Sequence, residues 1–542
     1  MFKRSFRKVI LAVSVVLAVG ASAGCTASVD PGEGNNADAT TVTVPFSPEP
    51  KSLNPNWQSD SGGFYPSGNI YSRLVDLDWG AVEAADQEST VYPDLAESWD
   101  TSVDGRIFTF HLRKGVVWHD GVALTSDDVV YTYETIIEKN YPLAAYLKGA
   151  RISAPDSDTV VISFDDTNVA FIPLLAQASN WYGVILPKHI YDGTDWSTNE
   201  ANMKPIGSGP FQFVSWQSGS QITLAANEKY FLGAPELKSL TFTVVTDSQV
   251  AKAGFDAGTY PYLTNDFISN FPQLKQLAAS GGDPQVVTTP SLYDRSLYFN
   301  LKNSILANHE VREAIAYGVD REGINNFAFS GLWTPMYNAG LSSYTAFLNK
   351  NAKFPQHDLA KANQLLDEAG YPVKADGTRF TLRLTNYGVT DSKLIAQVLV
   401  EQFKALSINL DWQQYDVPTW LNKLGSGDFD ISTYFVRYGP DPAAYGEHFA
   451  TGSPRNFMGY SNADVDTWLN EAKQSTNNAV RKALYDKVQA QLVADVPYLP
   501  LFGETKFSLV HKGWEGFPTQ ADAYNKAMGW FGYYQARKQQ EG

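Results

Sequence analysis

The sequence predicts a mixed α/β protein with more than one core. Three observations carry this: segments of strict apolar/polar alternation, amphipathic stretches of helical period between them, and a length of 542 residues, more than one hydrophobic core fills. At 44% hydrophobic residues the composition is globular. No internal repeat is visible along the chain.

The N-terminus reads as an export signal. Lys3, Arg4, Arg7 and Lys8 precede an apolar run from Val9 to Val19 that closes in small residues, the layout of a secretory leader. The run falls short of the about 20 apolar residues a membrane-spanning helix needs. Ser22-Ala23-Gly24-Cys25 resembles a lipobox, whose cysteine is lipidated and becomes the first mature residue. Cys25 is the only cysteine, so no internal disulfide can form, and lipidation accounts for a lone thiol in an exported chain. Ser22 departs from the usual aliphatic residue, and ordinary cleavage after Ala21-Ser22-Ala23 is the alternative. The expectation is a leader over 1–24 and a flexible, small and polar tether over 25–40, placing the protein on the outer face of the cell membrane through a lipid.

Removing the leader takes four cations and no acid, so a net charge of −16 becomes −20 over the remaining 518 residues. Nucleic-acid binding rests on Lys and Arg neutralising phosphates, and so acidic a chain is not expected to do it. The 13 Trp, 29 Tyr and 30 Phe supply core and also the walls of ligand pockets.

In chain order, Thr41 to Val44 opens as a strand, and the Pro/Asn-rich segment from Pro45 to Asn56 is expected to end it as a loop. Ile107 to Leu112 alternates as a half-buried strand. Thr125 then caps a helix, with an acid three residues on and Val129, Val130, Tyr133, Ile136 and Ile137 as its apolar stripe. A second helix follows Asp358, turning Leu359, Ala362, Leu365, Leu366 and Ala369 inward and stopping at Gly370. Ile408, Leu410 and Trp412 mark another strand.

Signs of catalysis are poor. The seven histidines, His111, His119, His189, His309, His357, His448 and His511, lie scattered, with no H-E-x-x-H and no cysteine partners, so no metal site and no cofactor are expected. Neither a G-x-S-x-G elbow nor a phosphate loop occurs. Gly207-Ser208-Gly209-Pro210 reads as turn chemistry before the strand Phe211 to Val214, its glycines free to take positive φ. His119-Asp120-Gly121 reads as a turn, and Asp127-Asp128 suit a first helical turn.

Longer motifs are more specific. Tyr92-Pro93-Asp94-Leu95-Ala96-Glu97-Ser98-Trp99, Phe108 to Val116, Trp118-His119-Asp120-Gly121 and Leu124 to Val129 resemble the hallmark segment of the peptide/nickel-type (family 5) solute-binding proteins of ABC importers. Glu49 to Pro55, Gly207 to Phe211 with Asn227 to Tyr230, Phe299-Asn300 and Val311 to Arg321 extend the resemblance over essentially the whole mature chain. It implies a two-lobed, hinged periplasmic-binding-protein-like body (type II, cluster C) with an extra subdomain in lobe I. Lobe I would comprise 41–72, 204–292 and 505–542, the extra subdomain 73–203, and lobe II 293–504. It implies a monomer that closes over a solute, hands it to a membrane permease with its ATPase, and catalyses nothing.

The resemblance also frames the ligand. Oligopeptide-binding relatives carry an acid in lobe II that pairs with the peptide α-ammonium, followed by an acidic-Pro pair. Here the tract is Tyr434 to Pro442; Asp441-Pro442 matches the pair, while the ammonium-binding acid falls on Gly439 or Pro440. Peptide is the expected ligand, with Asp441 as substitute anchor or as a cap for the turn before Ala443, and Arg437 and Tyr438 beside it. Trp57, Phe64, Tyr65, Asn300, Trp420 and Tyr434 complete the expected ligand-binding set. If the aromatic members are stacking platforms, an oligosaccharide-binding member of the family is the alternative; a secreted hydrolase is more remote.

Overall fold

A computed structural model describes residues 40–57, 62–77, 91–179, 182–339, 346–437, 441–518 and 532–539. The leader, Cys25 and nearly all of the tether lie outside these residues. Short strands alternate with amphipathic helices throughout, in the mixed α/β manner expected.

Three larger sheets organise the chain. The first has four strands in the order Thr41–Phe46, Ser239–Val244, Gln221–Ala226 and Phe211–Gln217, with the first pair parallel and the rest antiparallel. A second four-stranded sheet is antiparallel throughout: Ala96–Thr101, Ile107–Leu112, Thr159–Ser163 and Arg151–Asp156. The third runs Tyr262–Leu263, Tyr498–Val510, Gln285–Phe299, Ile431–Arg437, Phe380–Tyr387 and Ile408–Tyr415, with Thr334–Pro335 added beside Tyr498–Val510.

Apolar burial falls into two clusters. One gathers Val42, Phe46, Phe108, Phe110, Tyr133, Leu175, Leu224 and Phe242 with Val510, Phe517 and Tyr533 from the far end of the chain. The other runs from Val245 to Leu509 and includes Phe299, Leu384, Leu399, Trp420, Tyr445 and Tyr498. Both long strands touch both clusters: Val287 packs on the first and Leu297 belongs to the second, and Val510 and Leu509 divide likewise. Gln285–Phe299 and Tyr498–Val510 pair antiparallel from Gln285↔Val510 to Tyr298↔Tyr498, interrupted between Pro290 and Asp294. Such an irregularity bends and twists a strand pair, here where one core gives way to the other.

Local signals explain most elements. In the helix Ser126–Lys139, Asp128 Oδ2 accepts from the Thr125 N–H at 2.9 Å, the return half of a capping box. Val129, Tyr133 and Ile136 are buried while Val130 and Ile137 are half-buried. Asp358 caps Leu359–Glu368 through the Lys361 N–H at 2.9 Å, and Gly370 stops the helix at φ +86°. Leu359, expected inward, is exposed, because the first turn projects past the core that Ala362, Leu365 and Leu366 fill.

Two expectations need correction. The first strand does not stop at Val44 but continues through Pro45 to Phe46. Among the described residues Thr41–Phe46 is an edge strand beside Ser239–Val244, and Thr40 O and Phe46 O accept from the partner strand, so Pro45 faces away from it and forfeits no ladder hydrogen bond. Nor do Gly207 and Gly209 take positive φ. A Cβ on Gly207 would lie 1.9 Å from the Ile70 carbonyl oxygen, and one on Gly209 at 2.7 Å from that of Asn69; glycine is required for close backbone approach. The Gly209 N–H donates to Ile70 O at 2.8 Å, and the His119 N–H to Gly207 O at the same distance.

Candidate ligand-binding site

The expected site residues fall into several places. Trp420, on the helix Val417–Ser426, is fully buried; its indole N–H donates to Ser432 Oγ at 3.0 Å. It lies 4.7 Å from the Tyr387 ring, 5.4 Å from Tyr434 and 5.8 Å from Phe435, and Tyr434 in turn stacks on Tyr298 at 4.5 Å. Trp420 and Tyr434 are thus brought together, but Trp420 has no open face on which a sugar could stack. Burial raises the Tyr434 hydroxyl to about 12, with Arg455 opposing the rise.

Phe64 and Tyr65 form a second place, both buried on the short helix Phe64–Ile70, where the Tyr65 hydroxyl donates to Asp266. Trp57 is half-buried against the same core. Asn300 is buried and fastens backbone: its amide donates to Gly427 O at 3.0 Å and Phe429 O at 2.7 Å, and its oxygen accepts from the Lys302 N–H at 3.1 Å.

Asp441 stands in a third. Its oxygens accept from Arg481 Nη2 at 2.7 and 2.8 Å, and Oδ1 also accepts from the Ala443 N–H at 2.9 Å, capping the turn Pro442–Ala444. Arg481 is itself buried, its guanidinium 5.0 Å from the Phe347 ring and 5.7 Å from Tyr485. Arg437 ends the strand Ile431–Arg437, paired with Tyr293. Tyr438, Gly439 and Pro440 lie outside the described residues.

A larger polar feature was missed by the sequence reading. Arg295 Nη2 meets Asp391 Oδ2 at 2.5 Å and Glu504 Oε2 at 3.3 Å, while Nη1 donates to the Tyr387 hydroxyl at 2.5 Å. Glu504 also pairs with Lys506. The Arg295 guanidinium lies 5.8 Å from the rings of Trp333 and Phe435. Burial would raise Glu504, yet Lys506 and Arg295 outweigh it and hold the carboxyl below its ordinary range. Asp294, one residue before Arg295, is driven well above the carboxylate range by burial, with the Glu504 charge adding. The available signal was charge inside strands: Asp294-Arg295 and Glu504-Thr505-Lys506 interrupt apolar segments, and charges there must be paired or neutralised.

The two cores also meet at two outlying points. A Cβ on Gly105, in the turn before Ile107–Leu112, would sit 3.2 Å from Thr476 Cγ2, between the helices Ala463–Gln474 and Asn478–Asp495. Arg455, 3.2 Å from Glu447, lies within electrostatic reach of Tyr146 and Tyr182, which pack against the first core. Among the described residues no cluster of three or more His, Cys, Asp and Glu is placed to hold a metal, and no helix is long and apolar enough to cross a membrane.

The family model for bacterial extracellular solute-binding proteins, family 5, matches residues 90–457, more than half of the chain. The chain belongs to this family. The family 5 chain is 28% identical to oligopeptide-binding protein AppA of Bacillus subtilis, across 98% of this chain and 99% of that protein. Its fold matches the ABC transporter substrate-binding protein CtaP of Listeria monocytogenes with a TM-score of 0.80 at 24% identity, over 92% of this chain and 99% of that one. It also matches the structure of Bacillus subtilis AppA in complex with a nonapeptide, with a TM-score of 0.72 at 24% identity and the same coverage. The fold is therefore the two-lobed one of periplasmic binding proteins, and the family 5 chain is an extracytoplasmic solute-binding protein, not an enzyme.

Proposed function

We propose that this protein captures peptides between its two lobes, anchored to the membrane through lipidated Cys25, and delivers them to an ABC permease. Lobe I consists of 41–72, 204–292 and 505–542, the extra subdomain of 73–203, and lobe II of 293–504. The observation that carries the peptide assignment is the likeness to an oligopeptide-binding protein along nearly the full length of both chains. A chain with hinged lobes works by population shift: ligand that contacts both lobes binds the closed state more tightly, and that differential affinity drives closure. The closed form then presents the surface a permease can distinguish from the empty one.

Native mass spectrometry of the protein purified from its host, followed by calorimetry with whatever co-purifies, tests the assignment. Co-purifying peptides that rebind after unfolding and refolding are expected. Recovery of an oligosaccharide that rebinds, together with no heat from any peptide, would overturn it.

A further inference from the structure

The two long strands that pass from one core to the other do not pair evenly. Lys506 stands opposite Thr289 and Thr505 opposite Pro290, and pairing resumes with Gly503 opposite Asp294 and Phe502 opposite Arg295. Between those blocks the three residues 291–293 face the single residue Glu504, an irregularity of the kind at which a strand pair bends. Glu504 is 5% exposed and takes a cation from each side of the interruption, Lys506 from the block before it and Arg295, on the other strand, from the block beyond.

Charges alternate in sign along a path between the cores. The Tyr65 hydroxyl of the first core donates to Asp266, and Asp266 lies within electrostatic reach of Lys506. Lys506 meets Glu504, Glu504 meets Arg295, and Arg295 meets Asp391 of the helix Thr390–Ala405, which packs in the second core. Glu504 is the link between the Lys506 side and the Arg295 side. Its two contacts are unequal. Lys506 is two residues away on the same strand and turns with it, whereas Arg295 lies across the interruption at 3.3 Å and has closer acceptors in Asp391 Oδ2 and the Tyr387 hydroxyl, both at 2.5 Å. The Arg295 Nε is buried without a hydrogen-bond partner, so the guanidinium is not fully satisfied in this arrangement. Bending at the interruption therefore bears first on the Glu504–Arg295 contact, the longest of the three. The lobes are together here, since they touch where Gly105 meets Thr476 and approach where Arg455 reaches towards Tyr146 and Tyr182.

We propose that Glu504 is an electrostatic pin of the hinge: its contact with Arg295 across the interrupted strand pair holds the lobes together, and the lobes part as that contact breaks. The inference rests on the two-lobed, hinged reading and adds to it a positioning residue that sets the balance between open and closed forms by holding the hinge. Arg295 and Lys506 lie within electrostatic reach of each other. Without Glu504 they face each other as enclosed like charges, which favours the form in which the strands have bent apart.

Distances between spin labels on the ligand-free, exported Cys25→Ala chain test this, with labels at Val103→Cys and Val480→Cys, exposed positions that flank the Gly105–Thr476 contact. Glu504→Gln is expected to raise the ratio of far to near populations by about fivefold or more, in a protein whose melting shows it folded. Asp441→Asn, which breaks a buried pair within lobe II, is expected to lower the melting temperature and leave the ratio unchanged. A Glu504→Gln distribution matching the parent overturns the inference, as does an equal rise in Asp441→Asn. Should Glu504→Gln fail to fold, Arg295→Gln leaves Glu504 paired with Lys506 and breaks the same contact from its other end; the same rise is expected there, and its absence overturns the inference. A pool of synthetic tri- to nonapeptides separates the pin from the reading beneath it. If peptide draws the parent to the near population while ligand-free Glu504→Gln still matches the parent, the pin fails and the hinged reading stands; one fixed distance in every sample overturns both.

Discussion

Replacing Asp441 with Asn separates a structural from a ligand-binding role for that carboxylate. The change leaves a side chain able to cap Ala443, since Asn is as good an N-cap as Asp, and removes only the charge that Arg481 faces. Both partners are buried and the bond is two-pronged, at 2.7 and 2.8 Å. Breaking such a pair from one side costs about 3–5 kcal/mol, because a buried guanidinium is left uncompensated. Arg481 keeps its contacts with Phe347 and Tyr485 and a 3.3 Å bond from Nε to Ala472 O, which places the expected loss near the lower end, about 3 kcal/mol. For a lobe of roughly 200 residues that lowers Tm by about 6–12 °C. Urea and thermal unfolding of the ligand-free protein measure it, and Asp441→Asn with Arg481→Met should lose less than the two single changes summed. Ligand-free stability unchanged within about 0.5 kcal/mol, alongside lost peptide affinity, would refute this reasoning and make Asp441 the anchor.

Three further outcomes are expected. Cys25→Ala should move the protein from the membrane fraction to the soluble exported fraction with folding unchanged, and retention on membranes would refute lipidation. In a Cys25→Ala background, Gly105→Cys with Thr476→Cys should form a disulfide, because a Cβ on Gly105 would lie 3.2 Å from Thr476 Cγ2, near enough for two sulfurs to meet; crosslinking should quicken with peptide, and equal rates with and without it would argue against ligand-driven closure. His448 is buried, and burial, aided by the Arg455 charge, lowers it from 6.5 to about 3. Its unfolded form takes up a proton between those values and its folded form does not, so stability should fall by roughly 4 kcal/mol as pH drops from about 6.5 to 3. His448→Gln should flatten that limb, and parallel pH-stability curves for the two proteins would refute the cause.

What could be read in advance was whatever one face of one element decides. The strand Ile107–Leu112 and the helices after Thr125 and Asp358 follow from alternation, a capping pair and a stopping glycine, all contained within a few neighbouring residues. Pro45 misled because its tolerance depends on which strand lies beside it, and an edge is a property of the sheet. Gly207 and Gly209 were recognised as necessary for the wrong reason: the Ile70 carbonyl that forbids a Cβ is more than 130 residues away in the chain.

The site was harder for the same cause. Aromatic residues near a motif serve equally as pocket wall or core, and only packing distinguishes them; Trp420 and Tyr65 proved buried, while Tyr387, Trp333 and Phe435 flank the charged network. Charge in a strand is a stronger clue than an aromatic ring, because desolvation forces a partner to exist even when sequence cannot name it. Asp294-Arg295 and Glu504-Thr505-Lys506 carried that clue, and their partners Asp391 and Tyr387 come from segments more than 90 residues away from either. That separation matters for function as well as for prediction. Arg295 and Glu504 lie on the paired strands that pass from one core to the other, whereas Asp391 and Tyr387 belong to elements of the second core alone. Any change in the angle at which these strands cross would therefore move Arg295 and Glu504 against Asp391 and Tyr387.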